Sequence, residues 1–226
     1  MTSFWRDSRV PLVLRLHSVA GVLPLGAFFA LHLWINARAT QGRRAYETWV
    51  YALQAMPGRP LLEATLIFAP LIFHGLYGTA IVLGWAPSLP EPPHTHPWSR
   101  SMQRTTGVAG FAFVALHVAT LRIPALVGEL APADFFPNLT DSLSATTGFG
   151  VPALATAYLL GLAATSYHLA NGLSRFFLRL PMSEAPRTRR AVSLGCTLLG
   201  SALFLLGANT VVYFATGASL VGAKVL

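Results

Sequence analysis

The chain has 226 residues, of which 54% are hydrophobic and 11% charged, with a net charge of +8. A water-soluble domain carries about a quarter charged residues, so this surface does not face water throughout. The arginines that supply the charge flank long apolar runs, which points to membrane lipid and topology rather than to nucleic acid. One cysteine, Cys196, rules out both an internal disulfide and an iron–sulfur cluster held by this chain alone, since a cluster needs about four thiolates.

A bilayer core takes about 20 apolar residues per helix. Five stretches qualify, running from Leu12 to Asn36, Leu61 to Trp85, Thr105 to Val127, Phe149 to Phe177 and Ala191 to Ala215. Breaker residues lie between them: Pro57 to Pro60, Pro87 to Pro97, Pro137 and Pro152, then Pro181 and Pro186. The first run is too long for the apolar region of a cleaved signal peptide. The fold expected is all-α, a single transmembrane domain over residues 1–226 with five membrane helices. Ala45 to Met56 is the stretch expected to form a short interfacial helix. With the N-terminus inside, ten cationic residues fall on the inner side and six on the outer, which favours that orientation. The first outer loop is the exception, with Arg38, Arg43, Arg44 and Arg59.

Ionisable residues within a span are costly and are functional candidates by default. His32, His74, His117 and His168 occupy the first four spans, one in each, and the fifth has none. At 1.5 Å per residue, His32 lies roughly 25 Å and His117 roughly 18 Å from the inner edge. His74 lies roughly 21 Å and His168 roughly 24 Å from the outer edge. The four therefore sort into two pairs, His32 with His117 in the outer half and His74 with His168 in the inner half. Two imidazoles at one depth on opposing helices suit the axial positions of a haem iron, which then exchanges electrons without binding oxygen. A hydrogen bond to a neighbouring carbonyl is the alternative for any one of them. Zinc prefers four ligands, and neither depth offers a carboxylate or thiolate. Gly75, Gly78, Gly107, Gly110 and Gly172 lie near these histidines and suit either a flat macrocycle or close helix packing.

These residues resemble the five-helix, di-haem cytochrome b subunit of succinate:quinone oxidoreductases, the succinate dehydrogenase and fumarate reductase family. The resemblance runs over residues 10 to 215. It is carried by Arg15-Leu16-His17-Ser18 with Gly21 and Pro24, by His32-Leu33 with Asn36, and by Glu63 with Pro70 to Gly78. It continues through Gln103-Arg104 with Gly107, Leu116-His117-Val118, and His168 with Asn171-Gly172-Leu173. The resemblance implies two haem b groups, a proximal one held by His74 and His168 and a distal one held by His32 and His117. It also implies a flavoprotein subunit and an iron–sulfur subunit on the cytoplasmic side, quinone as substrate (menaquinone expected), the bacterial inner membrane as location, and room for a higher oligomer.

Haem propionates favour arginine and other donors. Arg15, His17, Ser18, Gln103, Arg104, Arg175 and Arg179 stand on the inner side for that role, though the arginines also satisfy topology alone. Quinone chemistry needs an ionisable group, and Glu63 at the outer end of the second span is the candidate, against the plain alternative of an interfacial carboxylate facing water. His94 and His96 lie in a proline-rich loop and are expected to face solvent. Two rival readings are a cytochrome b for a hydrogenase or formate dehydrogenase, and a non-redox anchor or transporter.

Overall fold

The computed structural model describes residues 10–90, 96–180 and 185–220. Arg6, Asp7, Arg9, His94, Pro181 and Lys224 lie outside the described residues. Within them the secondary structure is helical, and seven helices position the site. These are α1 (Leu12–Gln41), α2 (Arg43–Gln54), α3 (Arg59–Val82), α4 (Pro97–Leu126), α5 (Phe135–Ser144), α6 (Ala153–Leu178) and α7 (Pro186–Thr216). The end of the bundle where α1 begins is termed the inner end below.

Turn chemistry sets the helix limits. Gly42 at φ 98° separates α1 from α2, and Gly58 at φ 69° precedes α3. Pro97 and Pro186 occupy first-turn positions of α4 and α7, where the missing N–H has no partner to lose. Three of the long helices contain a wider π turn: Gly21–Leu25 in α1, Ala64–Phe68 in α3 and Val118–Arg122 in α4. Each contains a proline or is followed closely by one, namely Pro24, Pro70 and Pro124. A proline inside a helix withdraws one N–H and crowds the carbonyl four residues back, and in lipid the backbone adjusts locally to satisfy the freed group.

Four helices, α1, α3, α4 and α7, are long and apolar enough to cross a membrane. The fourth expected span, α6, has the length, 26 residues, or about 39 Å. It is less apolar, because Thr156, Thr165, Ser166, His168, Asn171 and Ser174 lie along it. Its position explains this. It packs along α4 on one side and α7 on the other, and Ser166, Ser174 and Arg175 are buried. A helix in the middle of a bundle meets protein rather than lipid, so it tolerates polar side chains that have partners.

The apolar runs located the hydrocarbon depth but not the helix ends. α4 begins eight residues before Thr105, and α7 five before Ala191, because both helices start in polar sequence behind a proline. The interfacial helix expected at Ala45–Met56 is α2. The 10-residue α5 was not expected; Leu139 and Leu143, spaced one turn apart, bury its inner face. Together α2 and α5 roof the outer end, where Ala39, Tyr46, Leu143, Tyr158 and Phe214 form a cluster.

Candidate functional site

Helices α1 and α4 bring His32 against His117, with ring centroids 5.7 Å apart and planes at 84°. Helices α3 and α6 bring His74 against His168, with centroids 6.0 Å apart and planes at 79°. Two imidazoles that share one metal ion, at roughly 2 Å per metal–nitrogen bond, have centroids roughly 6 Å apart. Among the described residues no group of three or more His, Cys, Asp or Glu gathers as a metal site. The donors come in twos.

The inner pair is oriented by main chain. His74 Nδ1 lies 2.9 Å from the carbonyl oxygen of His17, and His168 Nδ1 lies 3.0 Å from that of Gln103. A carbonyl oxygen only accepts, so His74 Nδ1 carries its proton and His74 Nε2 keeps its lone pair; the Gln103 side-chain nitrogen also stands 3.1 Å from His168 Nδ1. One turn beyond each carbonyl stands a glycine that makes room for the ring. A Cβ on Gly21 would fall 2.3 Å from His74 Cε1, and one on Gly107 would fall 2.7 Å from His168 Cε1. The same device, a carbonyl at one position and a glycine four residues on, thus occurs in α1 and in α4. The His17 ring also stacks on His74, with centroids 4.2 Å apart and planes within 2°. Its Nε2 is buried without a hydrogen-bond partner. From His168 a polar chain runs toward the inner end. Asn171 Nδ2 donates to Gln103 Oε1 at 2.8 Å, Ser99 Oγ donates to Asn171 Oδ1 at 2.8 Å, and Arg175 Nη2 donates to Ser99 Oγ at 3.3 Å.

The outer pair is oriented by side chains. His117 Nδ1 lies 3.2 Å from the Tyr158 hydroxyl. Asn36 Nδ2 donates to the His32 carbonyl at 2.8 Å and stands 3.4 Å from His32 Nε2. A single cavity of about 960 Å³ connects the two pairs and is lined by all four histidines. His17, Ser18, Gln103, Arg104, Arg175 and Arg179 also line it, whereas Arg15 does not. Ser18 spends its hydroxyl on the Leu14 carbonyl of its own helix at 3.1 Å. At the outer mouth Glu63 forms an ion pair with Arg122 and lies 3.8 Å from Arg59, which also bonds Gln54. His96 caps α4 by accepting from the Trp98 N–H.

No protein-family model and no solved structure matches the chain. The chain is 30% identical over 200 residues to the succinate dehydrogenase cytochrome b558 subunit of Bacillus subtilis (strain 168), a match that covers 88% of this chain and 95% of that protein. It belongs to the succinate dehydrogenase cytochrome b subunit family.

As a succinate dehydrogenase cytochrome b subunit, the chain is a multi-pass membrane protein and part of an oxidoreductase complex. Its residues meet as the depth argument paired them: helix rise and direction alone set His32 opposite His117 and His74 opposite His168. Other features of this cytochrome b subunit escaped sequence reasoning. His17 and Gln103 act on the neighbouring histidines through their carbonyls, which no side-chain pattern encodes. Tyr158 was passed over, although a hydroxyl within an apolar run needs a partner and signals one. Arg122, one of the six outer cations that enter the topology count, holds Glu63.

Proposed function

We propose that this subunit holds two b-type haems, one between His74 and His168 and one between His32 and His117, and passes electrons between an iron–sulfur subunit and menaquinone. Five helices would span the membrane, α6 included, with the N-terminus on the cytoplasmic side of a bacterial inner membrane. A flavoprotein subunit, carrying the succinate and fumarate chemistry, would dock with the iron–sulfur subunit at the inner end.

One observation carries the reading: two imidazole couples, each about 6 Å between centroids, face one shared apolar cavity. The residues fit a flat group with two axial positions. Gly21 and Gly107 leave the inner imidazoles room, and the buried, unpartnered His17 Nε2 suits a carboxylate oxygen. A haem held by either histidine couple would supply one-electron transfer. The chain's own work is orientation. The carbonyls of His17 and Gln103 and the hydroxyl of Tyr158 hold the His74, His168 and His117 rings in place, a partner arrangement worth about 10–100-fold in metal affinity. Arg175, Arg179, Arg104 and Gln103 stand at the inner part of the cavity, where propionates would find donors. Glu63, flanked by two arginines at the outer mouth, would exchange protons with quinone.

Purification of the complex in mild detergent, with haem quantification and a reduced-minus-oxidised spectrum, tests this. Two haems per chain are expected. His74→Ala and His168→Ala should each remove the same haem, and His32→Ala and His117→Ala the other. No b-type band, or losses that ignore this pairing, would overturn the assignment.

A further inference from the structure

We propose that Arg122 is a substrate-binding residue of the quinone site, its buried Nε–H donating to a carbonyl oxygen of a quinone held beside Glu63. This rests on the reading of Glu63 as a quinone-site group. Arg122 binds Glu63 through Nη2, while its Nε is buried and has no hydrogen-bond partner. The Arg122 and Glu63 side chains are only 18% and 21% exposed. A buried guanidinium N–H left unpaired costs more than a surface one, and a ligand oxygen would remove that cost.

Local backbone aims the pair. Glu63 stands immediately before the π turn Ala64–Phe68, and Arg122 is the last residue of the π turn Val118–Arg122. Such turns interrupt regular helical winding and recur at functional sites. Both residues of the pair line the cavity. Helix α1 packs on α3 chiefly through Leu12–Ala20 and Gly21–Leu25 rather than through its outer half. Leu31, Leu62 and Leu66 line the cavity there and are also exposed on the apolar exterior. A ligand entering from the bilayer would meet apolar walls first and then a donor and an acceptor side by side. That is quinone chemistry. The oxidised form carries carbonyl oxygens that accept from Arg122, and the reduced form carries hydroxyls that donate to the Glu63 carboxylate.

The test uses the intact purified complex with succinate as donor and 2,3-dimethyl-1,4-naphthoquinone as acceptor, and compares Arg122→Lys, Arg122→Gln and Glu63→Gln with the parent. Haem content and reduction of a soluble dye by succinate report assembly apart from the quinone site. Arg122→Lys keeps the charge opposite Glu63 but not the Nε–H, so it should assemble normally and raise KM for the quinone about 10-fold or more, with a smaller change in kcat. Arg122→Gln should raise KM further; if it fails to assemble, the lysine variant decides. Unchanged KM in Arg122→Lys, with Glu63→Gln impaired in turnover, would overturn the role of Arg122 alone. Parental kinetics in all three variants would remove Glu63 from the quinone site as well.

Discussion

Gly21 and Gly107 show how much depends on single atoms. Each lies under a histidine ring at a distance that excludes a methyl group. Gly21→Ala should push His74 off its position and cost about 1–3 kcal/mol through overpacking. The expected outcome is loss of one haem with the other retained, read as a halved α-band in the reduced spectrum; retention of both at parental levels would remove the cradle from the argument. The two pairs also differ in how they are held. Carbonyls of His17 and Gln103 orient the inner rings, and no substitution of those side chains deletes a carbonyl. Tyr158 meets the His117 ring through its side chain, and Asn36 stands 3.4 Å from His32 Nε2, so the outer pair is the more exposed to mutation. At this scale the sequence revealed the four histidines, because a polar ring in an apolar run stands out. It could not reveal Gly21 and Gly107 as their supports, because each supports a histidine on another helix.

At the scale of helices, the apolar runs marked all five long helices, of which α6 is the least apolar. Its polar side chains lower its apolarity, yet Asn171 bonds to α4 and Ser174 meets Ser193 of α7. The α6–α7 contact depends on close approach at Gly200, where a Cβ would lie 2.5 Å from the Ala170 Cβ and 3.1 Å from the Ser166 carbonyl oxygen. Gly200→Leu should separate the two helices and destabilise the bundle by about 1–3 kcal/mol. A lowered melting temperature of the complex in detergent would report it, and an unchanged one would show that α7 is not packed as described. Helix α5 was hidden for a different reason: ten residues carrying one buried face give too short a pattern to separate from loop sequence.

At the scale of the whole molecule the two ends differ. The inner end gathers Ser99, Asn171, Arg175 and Arg179, whereas the outer end is roofed by α2 and α5 and holds the Glu63–Arg122 pair. With quinone at the outer end and the iron–sulfur subunit at the inner one, succinate oxidation moves electrons outward, away from a negative interior. Each charge then gains about 2.3 kcal/mol per 100 mV. An uncoupler should therefore lower succinate-dependent menaquinone reduction in intact cells, with little effect on succinate-to-dye activity in open membranes. Equal menaquinone rates with and without the uncoupler would mean that no net charge crosses, or that the quinone is bound at the inner end.

The sequence by itself determined that this chain is a membrane protein, and its four histidines at their expected depths named the two couples that meet in the structure. Those properties follow from composition and from a fixed rise per residue, which need no knowledge of neighbours. Only the tertiary structure decided which carbonyl or hydroxyl meets His74, His168 and His117, and that Arg122 pairs with Glu63. Those contacts join residues tens of positions apart, and their geometry depends on helix rotation and on π turns that shift a side chain by a fraction of a turn. Linear spacing carries no record of either.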